Sequence, residues 1–445
     1  MIKMNAQINS WGSLALNRVP QNLPGHHVPW VIKARESALD RFLVHGFPTR
    51  QEEDWKYTDV SAISKSTSLT PDNIPPDPSS EAALFAWTLA QKHVHLMVFV
   101  NGHYSNELSA IGELPSGAKL ESLADLLDRE NCLSESFFDQ AQEHTIFSAL
   151  NNALATDGAV LQLAPETVLK KPVYLLYIAS GSGTAIYPRN IFIFGEHSQA
   201  TIIEHYFGMM DIHNFTNAVT QIILGNRAEL HHCKLEQEGK SAFHIAGIHA
   251  EQAASSRFFS LSFALGGRLA RNDITSRMHG SESSCTLDGL YLLDGKQHTD
   301  HHTRIDHLAS SCTSSELYRG ILDGNSHGVF NGKVVVHPFS VKTVAHQANH
   351  NLLLSRQAAV DTKPQLEIFT DDVKCTHGAS VGQLEIDNLF YLRSRGVDAD
   401  LARSLLIYGF ANDIISRVGD PDMRNRIEHL VLDRLPQGEL IKELI

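Results

Sequence analysis

Two stretches of this chain carry the side chains best suited to chemistry. The first, His298-Thr299-Asp300-His301-His302 with Asp306-His307 and Cys312 beyond it, offers imidazole, carboxylate and thiol, the donor types that hold iron or zinc. In a strand, residues i and i+2 share a face while neighbours point apart, so His301 and His302 cannot both face one ion. The simpler reading is a polar ladder on the outside of stacked strands, with His301 or His302 hydrogen-bonding between layers. The second stretch, Cys375-Thr376-His377, puts its two donors on one face, about 6.6–7 Å apart along an extended chain. Two donors make half of a tetrahedral set, so a second chain would have to supply the rest. A buried structural cysteine beside a surface histidine also satisfies that spacing.

Familiar catalytic patterns are absent. Gly239-Lys240-Ser241 resembles the end of a phosphate loop, but Lys234 stands where the first glycine is needed, and Ser180-Gly181-Ser182-Gly183 lacks a following lysine. No nucleophile elbow and no H-E-x-x-H helix pair occurs. The expectation is a protein that is not an enzyme.

Composition narrows the class further. Of 445 residues, 25 are histidine and only five are cysteine: Cys132, Cys233, Cys285, Cys312 and Cys375. They form no C-x-x-C pair, which argues for reduced thiols and a cytoplasmic protein. The formal net charge of -13 and the lack of a basic block argue against nucleic acid as a partner. Met1 to Val19 lacks a secretory pattern, and no apolar run approaches the roughly 20 residues of a membrane span, so no membrane association is expected.

The elements that must position these donors fall into three expected domains. Residues 1–158 read as mostly helical. Pro29 opens a helix along Trp30, Ala34, Ala38 and Phe42 that Gly46 stops; Thr49-Arg50-Gln51-Glu52 is a capping box; Asn101-Gly102 is a hairpin turn; and His144 to Ala155 is a helix. Pro71 to Ser80 reads as a linker. From 159 to 384 the helical period fades and short apolar runs recur between turn residues. Small residues at Ala200, Ala228, Ser256, Ser284, Cys312 and Ser340 recur at a step of 28, which also aligns Ile202, Leu230 and Phe258. Such a step suits a strand solenoid of about eight coils, roughly 38 Å long at the usual strand spacing. Its last coil would present unpaired backbone groups. In 385–445 helix returns: Gly396 ends one helix, and Asp398 caps another whose Leu401, Leu405, Ile407, Phe410, Ile414 and Ile415 form a broad apolar face. That face is for packing on the chain's own core, with part left over for a partner.

Long ordered runs then point to a family. Asp54-Trp55-Lys56-Tyr57-Thr58, Glu316-Leu317-Tyr318-Arg319-Gly320-Ile321, Val329-Phe330-Asn331-Gly332, Val360 to Ile368, Asp371-Asp372-Val373-Lys374-Cys375-Thr376-His377-Gly378-Ala379, Phe390 to Gly396 and Gly409-Phe410-Ala411 closely resemble the SufB/SufD family of iron-sulfur cluster assembly scaffolds. The first and fifth of these runs favour its SufD branch over the paralogous SufB type. The resemblance implies a right-handed parallel β-helix flanked by N-terminal and C-terminal helical domains. It also implies a SufB-like scaffold joined through the β-helix edges and a SufC-like ABC ATPase held by the C-terminal helices, through Leu401, Leu405, Phe410 and Ile414. In the family the C-x-H-G histidine sits at the scaffold interface, which maps to His377 with Cys375 beside it. No permanently bound cofactor is implied, only a transient iron-sulfur cluster within the complex. A homodimer is expected when the chain is alone. The competing class, a β-helix carbohydrate-processing enzyme using Asp371-Asp372, fails because adjacent carboxylates diverge in a strand.

Overall fold

The computed structural model describes residues 23–65, 70–71, 80–129, 145–181, 183–208 and 212–443. The start of the chain, most of the proline-rich stretch after Pro71, Cys132 and Ser182 lie outside them.

From Arg189 onward the chain alternates strand by strand between two largely parallel sheets, of 11 and 10 strands among the described residues. Here they are called sheet A and sheet B. Each coil adds one strand to each, and about eight coils make a parallel β-solenoid. Strands long enough to bury both faces are rich in Val, Ile, Leu and Phe, as parallel sheets require. One core fills the space between the sheets, through Phe192, Ile222, Ile274 and Phe330 from sheet A and Ile202, Leu230, Leu287 and Tyr318 from sheet B.

The expected 28-residue step is an average. Equivalent residues lie from 26 (Phe243 to Leu269) to 32 (His327 to Ala359) positions apart. Ala228 and Ser256 do share a position, with Ser283 and Cys312 next in the stack, whereas Ala200, Ser284 and Ser340 slip by one to three. Leu230 is in register with Phe258 as expected, but Ile202 pairs with His232 instead.

The physical basis of this column is a corner. Glu166, His197, Arg227, Ser255, Glu282, Ser311 and Lys342 all adopt left-handed φ between 56° and 63°. Each donates its N–H to the next coil, as from Arg227 to the Ala254 carbonyl and from Ser311 to Val341. The small buried residue that follows folds its side chain back on the corner. Ser256 Oγ donates to the Ala253 carbonyl at 2.7 Å and Ser283 Oγ to that of Gly280 at 2.9 Å, while Cys312 Sγ, in the equivalent place one coil on, reaches across to the same Gly280 carbonyl at 3.3 Å. Cys312 is thus a sulfur version of a corner serine.

Helices cover the outer faces. Helix α1, Pro29–His45, stops at Gly46, whose φ is +70° and whose N–H returns to Phe42 O. α2 is Ser61–Lys65, α3 is Ser80–Ala90, α4 is Leu123–Leu127, and α5, Ile146–Leu154, is buried along nearly its whole length. α1, α5 and Trp55 cover sheet A through Phe42, Phe147 and Phe215. The hairpin forms at Asn101-Gly102, both at positive φ, and its first strand, His95–Val100, extends sheet B.

After the last strand come α6, Ile386–Ser394; α7, Ala399–Ile415, capped by Asp398; α8, Pro421–Leu432, capped by Asp420; and α9, Gly438–Lys442. α7 and α8 cover sheet B over Ile203, Cys233, Leu290 and Ile321. No helix among the described residues is long and apolar enough to cross a membrane.

Candidate functional site

The solenoid ends at two strands, Ala359–Ile368 in sheet A and Val373–Gly382 in sheet B, each hydrogen-bonded on one side only within this chain. Cys375 pairs with Ala345 and His377 with Gln347, so both side chains continue the inward-facing rows of sheet B. The row of His377 runs back through Gln347, Glu316, Leu287, Ser260 and His232. That of Cys375 runs back through Ala345 and Ser314 to Cys285. Cys375 is half-buried against Val334, Val336 and Ala345, and this burial pushes its thiol pKa up. His377 is exposed. Among the described residues, no third His, Cys, Asp or Glu joins them within ligand range. The pair is therefore an incomplete donor set on an open face, and Ile368, Phe369 and Val381 expose apolar surface beside it.

Deeper in the prism its interior holds charged groups that are fully enclosed. Glu204 accepts from Tyr206 Oη and Thr220 Oγ1, both at 2.7 Å, and lies 3.2 Å from His232 Nε2. Burial opposes its charge, yet these bonds hold its pKa below the ordinary value. Lys234 sits 2.7 Å from His244, which meets Glu238 at 2.7 Å. Desolvation lowers Lys234 to about 8 and raises Glu238 to about 7. Nearer the open end, burial raises Glu316, hydrogen-bonded by Gln347, to about 7. Sequence reading missed this set because Lys234 and Glu204 look like solvent-facing residues of alternating strands.

The histidines of 298–307 correct the expectation of an outer ladder. His301 and His307 are buried inside the prism, because their positions fall on the inward face of sheet A. His301 lies between the rings of Tyr291 and Tyr318, at 5.3 and 5.1 Å, and desolvation holds its pKa at about 3. His302, one residue on, points out to Asp300 at 3.0 Å, so the two diverge as strand geometry requires.

Asp300 in turn anchors the Asp54–Thr58 element. Arg271 bridges Asp300 and Asp273 at 2.8 Å each, donates to the Asp54 carbonyl at 2.6 Å, and stacks 3.7 Å from the Trp55 ring. Thr58 Oγ1 donates to Asp300 at 2.5 Å. Burial works against the Asp300 carboxylate, but His302 and Arg271 hold it well below the usual range.

At the C-terminal end, Ile414 is fully buried against sheet B, while Leu401, Leu405 and Phe410 are half-buried on the same cluster. Arg319 stacks 4.5 Å from the Phe410 ring and donates to its carbonyl at 3.1 Å, and Arg417 pairs with Asp288 at 2.7 Å. Sequence reading found the helix that ends at Gly396 but gave it no surface role; this α6 buries no residue and exposes Ile386, Phe390 and Tyr391.

Residues 177–410 match the family profile described as SUF system FeS cluster assembly, SufBD core domain, and 16–175 match the SufBD protein N-terminal region. An iron-sulfur cluster assembly SufBD family protein of Synechocystis is 31% identical over 90% of both chains. The iron-sulfur cluster assembly protein SufD of Escherichia coli is 32% identical over 90% of this chain and 92% of its own. Protein ABCI7, chloroplastic, of Arabidopsis thaliana is 28% identical over 90% and 85%. With both halves matched in order and the motif-bearing end strands inside the matched core, this chain belongs to the SufBD family of iron-sulfur cluster assembly proteins.

Proposed function

We propose that this chain is a non-catalytic, cytoplasmic scaffold subunit of the SufD type, which joins a SufB-like scaffold and a SufC-like ATPase to build and hand on nascent iron-sulfur clusters. One observation carries the reading: the solenoid stops at two free strand edges with an unfinished Cys375–His377 donor pair between them. A partner strand satisfies those edges by β-augmentation. His377, with a thiolate from the partner, then offers a place where iron and sulfide meet, and the cluster is cargo. The C-terminal helices receive the ATPase through the parts of Leu401, Leu405 and Phe410 that remain exposed, and ATP hydrolysis there opens the interface. Ile414, being buried, shapes that surface from beneath.

Co-purification with SufB-like and SufC-like chains, followed by iron and sulfide analysis, tests this. His377→Ala is expected to abolish cluster formation and Cys375→Ala to reduce it; full cluster yield in the His377 variant would overturn the role. The same edges make the isolated chain a homodimer, and a monodisperse monomer in light scattering contradicts that.

A further inference from the structure

Far from the open end, at the turn leading into α1, His26, His27 and Asp128 bring three ligand atoms within 4.8 Å of one another, all exposed. The turn is built rather than loose. Gly25, at φ +75°, donates its N–H to Asp128 Oδ1 at 2.8 Å. His27 Nε2 lies 3.2 Å from the Asp128 carbonyl. The fully buried Arg35 donates to the carbonyls of Pro24, Ala153 and Ala155, tying the same turn to the end of α5. Val31 and Leu127 stand within 3.0–3.3 Å of where a Cβ at residue 25 would sit, and the positive φ there favours glycine. A turn and a helix end that meet this way need only Asp128 and a backbone donor. They do not account for a second imidazole, His26, edge-on to His27 at 5.3 Å over the same carboxylate. The neighbouring cation, Arg129, is turned away to Glu121 at 3.1 Å and to the Asp125 carbonyl.

The geometry points to a divalent transition-metal site made by His26, His27 and Asp128. Two imidazoles and one carboxylate are borderline donors that select Zn²⁺, Co²⁺, Ni²⁺ or Fe²⁺ over Mg²⁺ and Ca²⁺, which prefer oxygen alone. Three protein ligands leave at least one position open to water or an outside ligand. A bound ion also cross-links the turn before α1 to the end of α4, and so stabilises the fold by mass action. The site is independent of the Cys375–His377 pair.

The test is calorimetric titration of the full chain with Zn²⁺ in excess Mg²⁺, beside His26→Ala and Asp128→Asn, which keeps an acceptor for the Gly25 N–H. The expected result is that each variant loses one Zn²⁺ equivalent per chain and the accompanying rise in Tm, while its metal-free Tm stays that of the unsubstituted chain. Co²⁺ should give a d–d absorption band in the unsubstituted chain that both variants lack. Identical titrations in all three proteins, or Zn²⁺ uptake abolished by Mg²⁺, would overturn the proposal.

Discussion

His232 and His377 occupy the same inward-facing row of sheet B, five strands apart, and live in opposite surroundings. His232 is buried between Ser260, at 2.9 Å, and Glu204. His377 stands exposed on the final strand. The fold treats the two positions alike, since both project between the sheets; what differs is whether another coil follows. In the middle of the prism, enclosure makes every polar group depend on a partner inside the chain. At the end the same kind of residue is left with unused bonding capacity.

Substitutions along the prism sharpen the contrast. The largest effect belongs to the enclosed network. Glu204→Ala removes the acceptor shared by Tyr206, Thr220 and His232, and is expected to cost about 3–5 kcal/mol, because three buried groups lose their partner at about 1–3 kcal/mol each. A urea midpoint close to that of the unsubstituted chain would show that the interior is less sealed than its geometry.

Glu316 comes next, and its effect depends on pH. Its folded pKa of about 7 lies above the ordinary 4.5, so between those values the unfolded chain releases a proton that the folded chain keeps. Stability therefore falls as pH rises through that window. Glu316→Gln removes this decline, and by pH 8 the variant should have gained on the order of 3 kcal/mol relative to the unsubstituted chain, at about 1.4 kcal/mol per pKa unit. Parallel urea midpoints at pH 5 and pH 8 would refute it.

Cys312→Ser is smaller still. Serine already fills the equivalent corner positions 256 and 283, so the cost should stay below about 1.5 kcal/mol in the same assay. Smallest of all is His377→Ala, whose exposed ring holds nothing in the fold. Its unfolding midpoint should not move while cluster yield collapses, and a shared loss of both would make His377 structural.

Much of this architecture was readable beforehand because local chemistry determines it. The Pro29 start and Gly46 stop, the Asn101-Gly102 turn, and the Asp398 cap each depend on residues within one turn of chain. The repeat was only half legible. Corner loops vary in length, so a constant step drifts against true register even where Ala228, Ser256 and Cys312 share a position. The burial of His301 was hidden for a different reason: a strand's alternation says which residues share a face, but the facing sheet decides which face is inside. Of the candidate site, the motif identified Cys375 and His377; that they lie on a free edge depends on where the stack of coils ends.

The column of left-handed corners has a further consequence. Because seven successive coils turn on the same backbone hinge, such a coil is a unit that can be gained or lost in evolution without redesigning its neighbours' backbone. The distance from the helix-covered beginning to the open end is then quantised, in increments of one strand spacing, about 4.8 Å. The molecule is in this sense a ruler, and where its open end lies is set by counting coils.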